Sequence, residues 1–244
     1  MENNTDLYNN PYSLSIRFTA DGFSLYVFDK NQKTLTSSTI ERNLTAMSES
    51  DIIEILSEQK EFSMKFELVR IIVESNQFSI VPASVFKPEN IEDFLKFRYQ
   101  ELSKNTNYLY NELIAWNAIV IFSCNNALYN ALNSVFPEIE TEHHLFAFFN
   151  DYIPLKKQAG LFVEFRKEFT DIMLVQNNNI LFYNSYECKT PEDFAYYMLK
   201  INEQHQIDNN TCNLLMSNSK KKTEYVQLIS KYIPNYETIN ESWE

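Results

Sequence analysis

From residue 14 onward, apolar and polar positions alternate. Leu14, Ile16 and Phe18 are separated by Ser15 and Arg17, and Leu25 and Val27 follow after Asp21-Gly22. A period of two marks a half-buried strand, and Asp-Gly between two such runs marks a tight hairpin. A third strand is expected over Leu35–Ile40. Ser48, with Asp51 three residues on, predicts a capped helix carrying Ile52, Ile55 and Leu56 on one face. The β-branched run Leu68–Val73 predicts a buried strand.

The same order returns in the second half. Leu161, Val163 and Phe165 alternate, then Ile172 and Leu174. Asn177-Asn178-Asn179 predicts a turn and Ile180–Tyr186 a third strand. Thr190-Pro191-Glu192-Asp193 places a cap residue, a first-turn proline and first-turn acids ahead of a helix through Phe194, Tyr197, Met198 and Ile201. Cys212–Met216 predicts the returning strand, and Glu224–Tyr232 a closing helix. Leu14, Ile16, Phe18, Leu25 and Val27 fall on Leu161, Val163, Phe165, Ile172 and Leu174 without a gap, which is the mark of a duplication.

Between the copies, Phe78–Phe86 is expected to fold back on Leu68–Val73 as a hairpin through Ser75-Asn76-Gln77. Pro88 predicts a helix start, with Ile91, Phe94, Leu95 and Leu102 on one face. Glu112–Phe122 ends in the buried strand Ala118–Phe122, followed by a helix over Asn125–Phe136 and a short one at Leu145–Phe149. The stretch Phe78–Phe149 therefore reads as an insertion into the first copy. Pro, Lys and Gly in Pro154–Gly160 place a boundary there, giving lobes at 1–155 and 156–244, after a polar entry over residues 1–11.

Composition narrows the function classes. The net charge of −12 and the scattered basic residues exclude a nucleic-acid binder, which needs a basic stripe. The run Lys220-Lys221-Lys222 reads as a solvated loop. No apolar stretch approaches a membrane span, and the polar start lacks a signal-peptide pattern, so a soluble cytoplasmic chain is expected. Cys124, Cys188 and Cys212 lie far apart beside apolar runs, as buried free thiols would. The 19 Phe and 15 Tyr favour a well-filled core. Two aromatic tracts, Tyr108-Leu109-Tyr110 with Trp116 and Phe146 to Tyr152, serve either that core or an interface.

Three strands, a helix and a fourth strand, used twice, resemble the actin-like ATPase superfamily, a ribonuclease H-like fold. The chain resembles a Bacteroidetes family of unknown function with that fold, and is also similar to assembly proteins of the PilM and GspL kind. The Leu14–Asp29 and Leu161–Gln176 hairpins, the Leu68–Phe86 segment and the Ala118–Phe136 unit carry the likeness. It implies an α/β chain of two duplicated lobes, each a mixed β-sheet with flanking helices.

The superfamily's working motifs are glycine-rich. Its first phosphate loop falls here on Thr19-Ala20-Asp21-Gly22-Phe23, in hairpin order. Its second falls on Arg166-Lys167-Glu168-Phe169-Thr170, with no glycine. Its adenosine turn falls on Ser217-Asn218-Ser219-Lys220. A phosphate cradle needs several backbone N–H groups aimed at one anion, and the chain has two glycines, Gly22 and Gly160. These departures imply a catalytically inactive scaffold or interaction module, with a protein partner or self-association and no cofactor, catalytic residue or metal. A degenerate nucleotide binder would use Thr19, Asp21, Lys167, Ser217 and Asn218. A metal-dependent hydrolase would use Glu140, Glu142, His143, His144 and Asp151. Against it, adjacent histidines face different ways, and the segment is expected to be exposed and to open a helix.

Overall fold

The computed structural model describes residues 12–151, 159–177, 179–217, 219 and 222–239. The polar entry at 1–11, most of the Pro154–Gly160 stretch, Tyr152, Asn178, Asn218 and the Lys220-Lys221 pair lie outside the described residues. The chain divides into two compact units, Met1–Ala147 and Phe148–Glu241.

In the first unit, β1 (Ser13–Thr19), β2 (Gly22–Phe28) and β3 (Thr34–Glu41) form a meander. Helix α1 (Glu49–Ser57) leads to β4 (Leu68–Val73), which runs parallel to β1. Ser48 caps α1: its hydroxyl accepts from Asp51 N–H, and the Asp51 carboxylate accepts from Ser48 N–H. Three more strands follow, β5 (Phe78–Pro82), β6 (Thr106–Leu113) and β7 (Ala118–Asn125), with α2 (Ile91–Arg98) between β5 and β6. They form a separate antiparallel sheet in the order β5-β7-β6. Helix α3 (Asn126–Val135) and β8 (Thr141–His143) then complete the first sheet, whose order is β3-β2-β1-β4-β8, and α4 (His144–Asp151) follows.

In the second unit, β9 (Gly160–Phe165), β10 (Phe169–Gln176) and β11 (Asn179–Glu187) form the meander. Helix α5 (Pro191–Gln204), capped by Thr190 and Asp193 in the same reciprocal way as α1, leads to β12 (Leu214–Ser217). Helix α6 (Thr223–Ile229) and β13 (Tyr236–Ile239) finish it. The sheet order is β11-β10-β9-β12-β13, the first unit's order strand for strand.

The registers agree as well. Leu14 faces Val27 and Ile16 faces Leu25, just as Leu161 faces Leu174 and Val163 faces Ile172. Each set lies in the core of its own unit. Leu14, Ile16, Phe18, Leu25 and Val27 pack with Ile52, Leu56, Leu128 and Leu132 of α1 and α3. Leu161, Val163, Phe165, Ile172 and Leu174 pack with Phe194, Met198, Tyr225 and Ile229 of α5 and α6. A sheet face covered by two helices gives the alternation read in the sequence.

Three expectations are corrected. The Leu68–Phe86 hairpin does not form: β4 lies between β1 and β8, both parallel to it, and β5 pairs with β7. Ile71-Ile72-Val73 is apolar on both faces because β4 is a central strand, and such a strand has no edge left for a hairpin partner. The insertion is shorter than Phe78–Phe149. It comprises β5 to β7 with α2, since α3 and β8 occupy the places of α6 and β13 in the other unit. Finally, the Glu140–His144 segment opens a helix as expected, but its histidines are not exposed. Its core is β8, where His143 is fully buried, and His144, the first residue of α4, is 1% exposed.

Candidate functional site

An actin-like fold would cradle phosphate at its hairpin turns. In the first unit that turn is Ala20-Asp21, two residues between Thr19 and Gly22. Its polar groups are engaged by the protein itself. The Thr19 hydroxyl accepts from Asp21 N–H and donates to the Gly22 carbonyl, each at 3.3 Å. Arg42 N–H donates to the Asp21 carbonyl at 2.8 Å and Leu44 N–H to the Ala20 carbonyl at 3.2 Å. Gly22 is required for a different reason from anion binding. Its φ is +146°, and a Cβ there would overlap the Ile40 carbonyl oxygen of the neighbouring strand.

In the second unit the turn is Lys167-Glu168, again two residues, closed by Arg166 N–H on the Phe169 carbonyl at 2.8 Å. Arg166 also supplies the charge beside it. Its guanidinium is almost wholly buried and binds Asp171, itself 0% exposed, through Nε at 2.7 Å and Nη2 at 3.2 Å. Nη2 donates to Ser185 Oγ at 2.8 Å, and the guanidinium lies over the Phe169 ring, 5.2 Å from its centroid. A paired, stacked arginine of this kind is held in one orientation by its own strand neighbours. Lys167 is exposed, and its carbonyl accepts from Lys222 Nζ at 3.5 Å.

Ser217 ends β12. It is fully buried, and its hydroxyl donates to the Val163 carbonyl at 3.3 Å across the sheet. Asn218 lies outside the described residues. Thr19 and Asp21 thus share one turn of the first unit, and Lys167 and Ser217 lie at the ends of adjacent strands of the second.

The Glu140–His144 segment holds a polar network that sequence reasoning missed. Glu142 binds Arg70 of β4, 2.6 Å at the shortest contact, through both carboxylate oxygens. His143 Nδ1 accepts from Leu145 N–H at 3.3 Å, which places the proton of a neutral ring on Nε2. The rings of Phe78 and Phe122 stand 4.5 and 4.9 Å from it, and that of His144 at 4.1 Å. Of the aromatic tracts, Tyr108 packs against the α2 cluster and Tyr110 is 40% exposed against Phe86, while Phe148 and Phe149 are buried. The three cysteines are buried and free, and burial raises every thiol: Cys124 to about 12 and Cys188 to about 11. They are poor nucleophiles.

Two units with one sheet order and one helix arrangement define the actin-like ATPase fold. The chain belongs to the family described as protein of unknown function DUF3822, whose model matches residues 2–236. It is similar to a Bacteroides thetaiotaomicron protein of actin-like ATPase fold and unknown function, at 24% identity and a TM-score of 0.78, covering 94% of this chain and 91% of that one. It is similar at fold level to a chain of the PilM–PilN type IV pilus biogenesis complex, with 13% identity, TM-score 0.52 and coverage of 95% and 88%. The ethanolamine utilization protein EutJ from Carboxydothermus hydrogenoformans matches at 11% identity and TM-score 0.51, over 94% and 85%. No curated protein matches the chain. Among the described residues no helix is long and apolar enough to cross a membrane.

Proposed function

We propose that this protein is an actin-like scaffold that acts by binding protein rather than by hydrolysing nucleotide. The observation that carries the reading is the length of the two hairpin turns. A loop that wraps phosphate must present several converging N–H groups, and each turn here has two residues. The first turn's carbonyls are bonded to Arg42 and Leu44, and Arg166, which precedes the second turn, is bonded to Asp171. Neither turn has a glycine inside it. The similar chain found in the PilM–PilN complex supports protein contact as a use of this fold.

The test is thermal unfolding and calorimetric titration of the full chain with Mg·ATP, Mg·ADP and Mg·GTP. No stabilisation and no heat are expected. Saturable stabilisation by any of them overturns the reading and makes Thr19, Asp21, Lys167, Ser217 and Asn218 the residues to substitute.

A further inference from the structure

The inserted sheet has two outer edges, β5 and β6, and they are finished differently. On β5, Ser123 N–H donates to the Gln77 carbonyl at 2.9 Å, so the next residue, Phe78, turns its N–H and C=O away from β7. The Tyr99 hydroxyl closes that edge. It accepts from Phe78 N–H at 3.3 Å and offers its proton to the Asn76 and Phe78 carbonyls at 3.0 and 3.1 Å.

The β6 edge has no such cover. Asn126 N–H donates to the Asn105 carbonyl at 2.8 Å, which makes these two a hydrogen-bonded pair of the β6–β7 ladder. Bonded pairs recur at every second residue. Asn107, Leu109 and Asn111 therefore bond to β7, and Tyr108, Tyr110 and Glu112 turn their N–H and C=O outward. Among the described residues no hydrogen bond reaches those outward groups.

This open edge borders a cleft of about 670 Å³. The cleft is walled by the rings of Tyr108, Tyr110 and Phe146 and by two exposed carboxylates, Glu112 and Glu140, and no basic side chain lines it. Among the described residues neither carboxylate is in an ion pair, whereas Glu142 is held by Arg70. Lys87, next to the wall residue Pro88, does not line the cleft, and Lys96 is held by Glu92 at 2.7 Å. The facing groups of β8 are already taken, because Asn111 bonds the Thr141 carbonyl and the His143 N–H. A strand entering the cleft finds β6, not β8.

We propose that β6 takes an extended, lysine- or arginine-bearing segment of a partner protein as a fourth strand of the inserted sheet. The outward groups of Tyr108, Tyr110 and Glu112 supply main-chain bonds. Long basic side chains suit the walls: their stems lie along the rings while their heads reach Glu112 or Glu140. An acidic segment meets like charge there. Strand addition at β6 is one form of the protein binding proposed for this fold and rests on that reading. It uses no residue of the hairpin turns, so peptide and nucleotide titrations fail separately.

Fluorescence anisotropy of a short labelled peptide of alternating valine and lysine, titrated with the full chain, tests it. Saturable binding is expected, and a valine–glutamate peptide should not bind. Methylating every main-chain nitrogen of the valine–lysine peptide keeps its charge and removes its donors, and should weaken binding by roughly tenfold or more. Glu112→Lys with Glu140→Lys should weaken it as much at an unchanged melting temperature, since both side chains are exposed. No saturable binding, equal binding of the methylated or the acidic peptide, or indifference to the double charge reversal overturns strand addition at β6.

Discussion

The side chain of Asn111 completes the outer edge of β8 as a backbone would: its Oδ1 accepts from His143 N–H at 2.8 Å, and its Nδ2 donates to the Thr141 carbonyl at 3.0 Å. Asn111 belongs to β6, so one buried amide ties the inserted sheet to the first sheet. Asn111→Ala leaves a buried N–H and C=O without these partners and should cost about 2–4 kcal/mol. Asn111→Asp keeps an acceptor and loses the donor, and should be no better. Urea unfolding of the purified variants measures both. A change within about 0.5 kcal/mol, as at ordinary surface sites, would show that the amide is not a structural tie.

The Arg166–Asp171 pair predicts strong non-additivity. Removing one partner leaves the other charge buried, so Arg166→Met or Asp171→Asn should each destabilise by about 3–5 kcal/mol. The double replacement Arg166→Met with Asp171→Leu removes both charges and should lose clearly less than the sum of the singles. A double-mutant cycle in denaturant reads the coupling directly. Simple additivity would mean that the pair contributes nothing as a pair.

Gly22 and Gly160 should be intolerant in a definite order. A Cβ at Gly22 overlaps the Ile40 carbonyl oxygen, whereas at Gly160 it meets the Asn213 carbonyl oxygen at 2.8 Å. Gly22→Ala should therefore cost about 2 kcal/mol or more, and Gly160→Ala less. Melting temperatures of the two variants give the order, and the reverse ranking would contradict the packing described.

The thiols predict an alkaline limb of instability. Burial lifts Cys124 to about 12 and Cys188 to about 11 from an ordinary 9.0, and lifts Cys212 in the same direction. Below pH 9 the thiols are protonated in folded and unfolded chains alike, and their contribution is fully present. Above it the unfolded chain loses protons that the folded chain keeps, so stability falls as pH rises toward the folded values. Cys124→Ala should flatten this slope in a pH series of unfolding midpoints. Native thiols should also react slowly with a disulfide reagent near neutral pH, and fast labelling of all three would refute their burial.

Much of the fold was legible because the repeated meander carries a strong period. Ile16 and Val163 face inward with Leu25 and Ile172, and the two-residue turns hold both copies in one register. Ser48 and Thr190 announce their helices through local bonds, which sequence spacing reveals. The short strands were not legible. Thr141–His143 and Tyr236–Ile239 are too brief to show a period, and both are placed by parallel neighbours distant in sequence. Tyr108 and Tyr110 looked like an aromatic tract because alternation with Leu109 and Asn111 puts polar and apolar groups on both faces of β6. The glycine shortage at the phosphate turns was readable outright. Arg166–Asp171 was not, since a basic residue five positions before an acid has no strand-level signature until the hairpin register is known.

The inserted sheet also governs the order in which the molecule can assemble. In the second unit β13 reaches β12 after one short helix. In the first unit the chain leaves β4 at Val73 and returns at Thr141, with β5, β6, β7 and two helices on the way. Closing so long a loop as open coil loses more chain entropy than closing the short one. The gap narrows once β5–β7 has folded and the loop behaves as a compact body. The second unit is therefore the quicker to nucleate from its local contacts, and the first sheet gains its fifth strand last, waiting on a sheet that is not part of it.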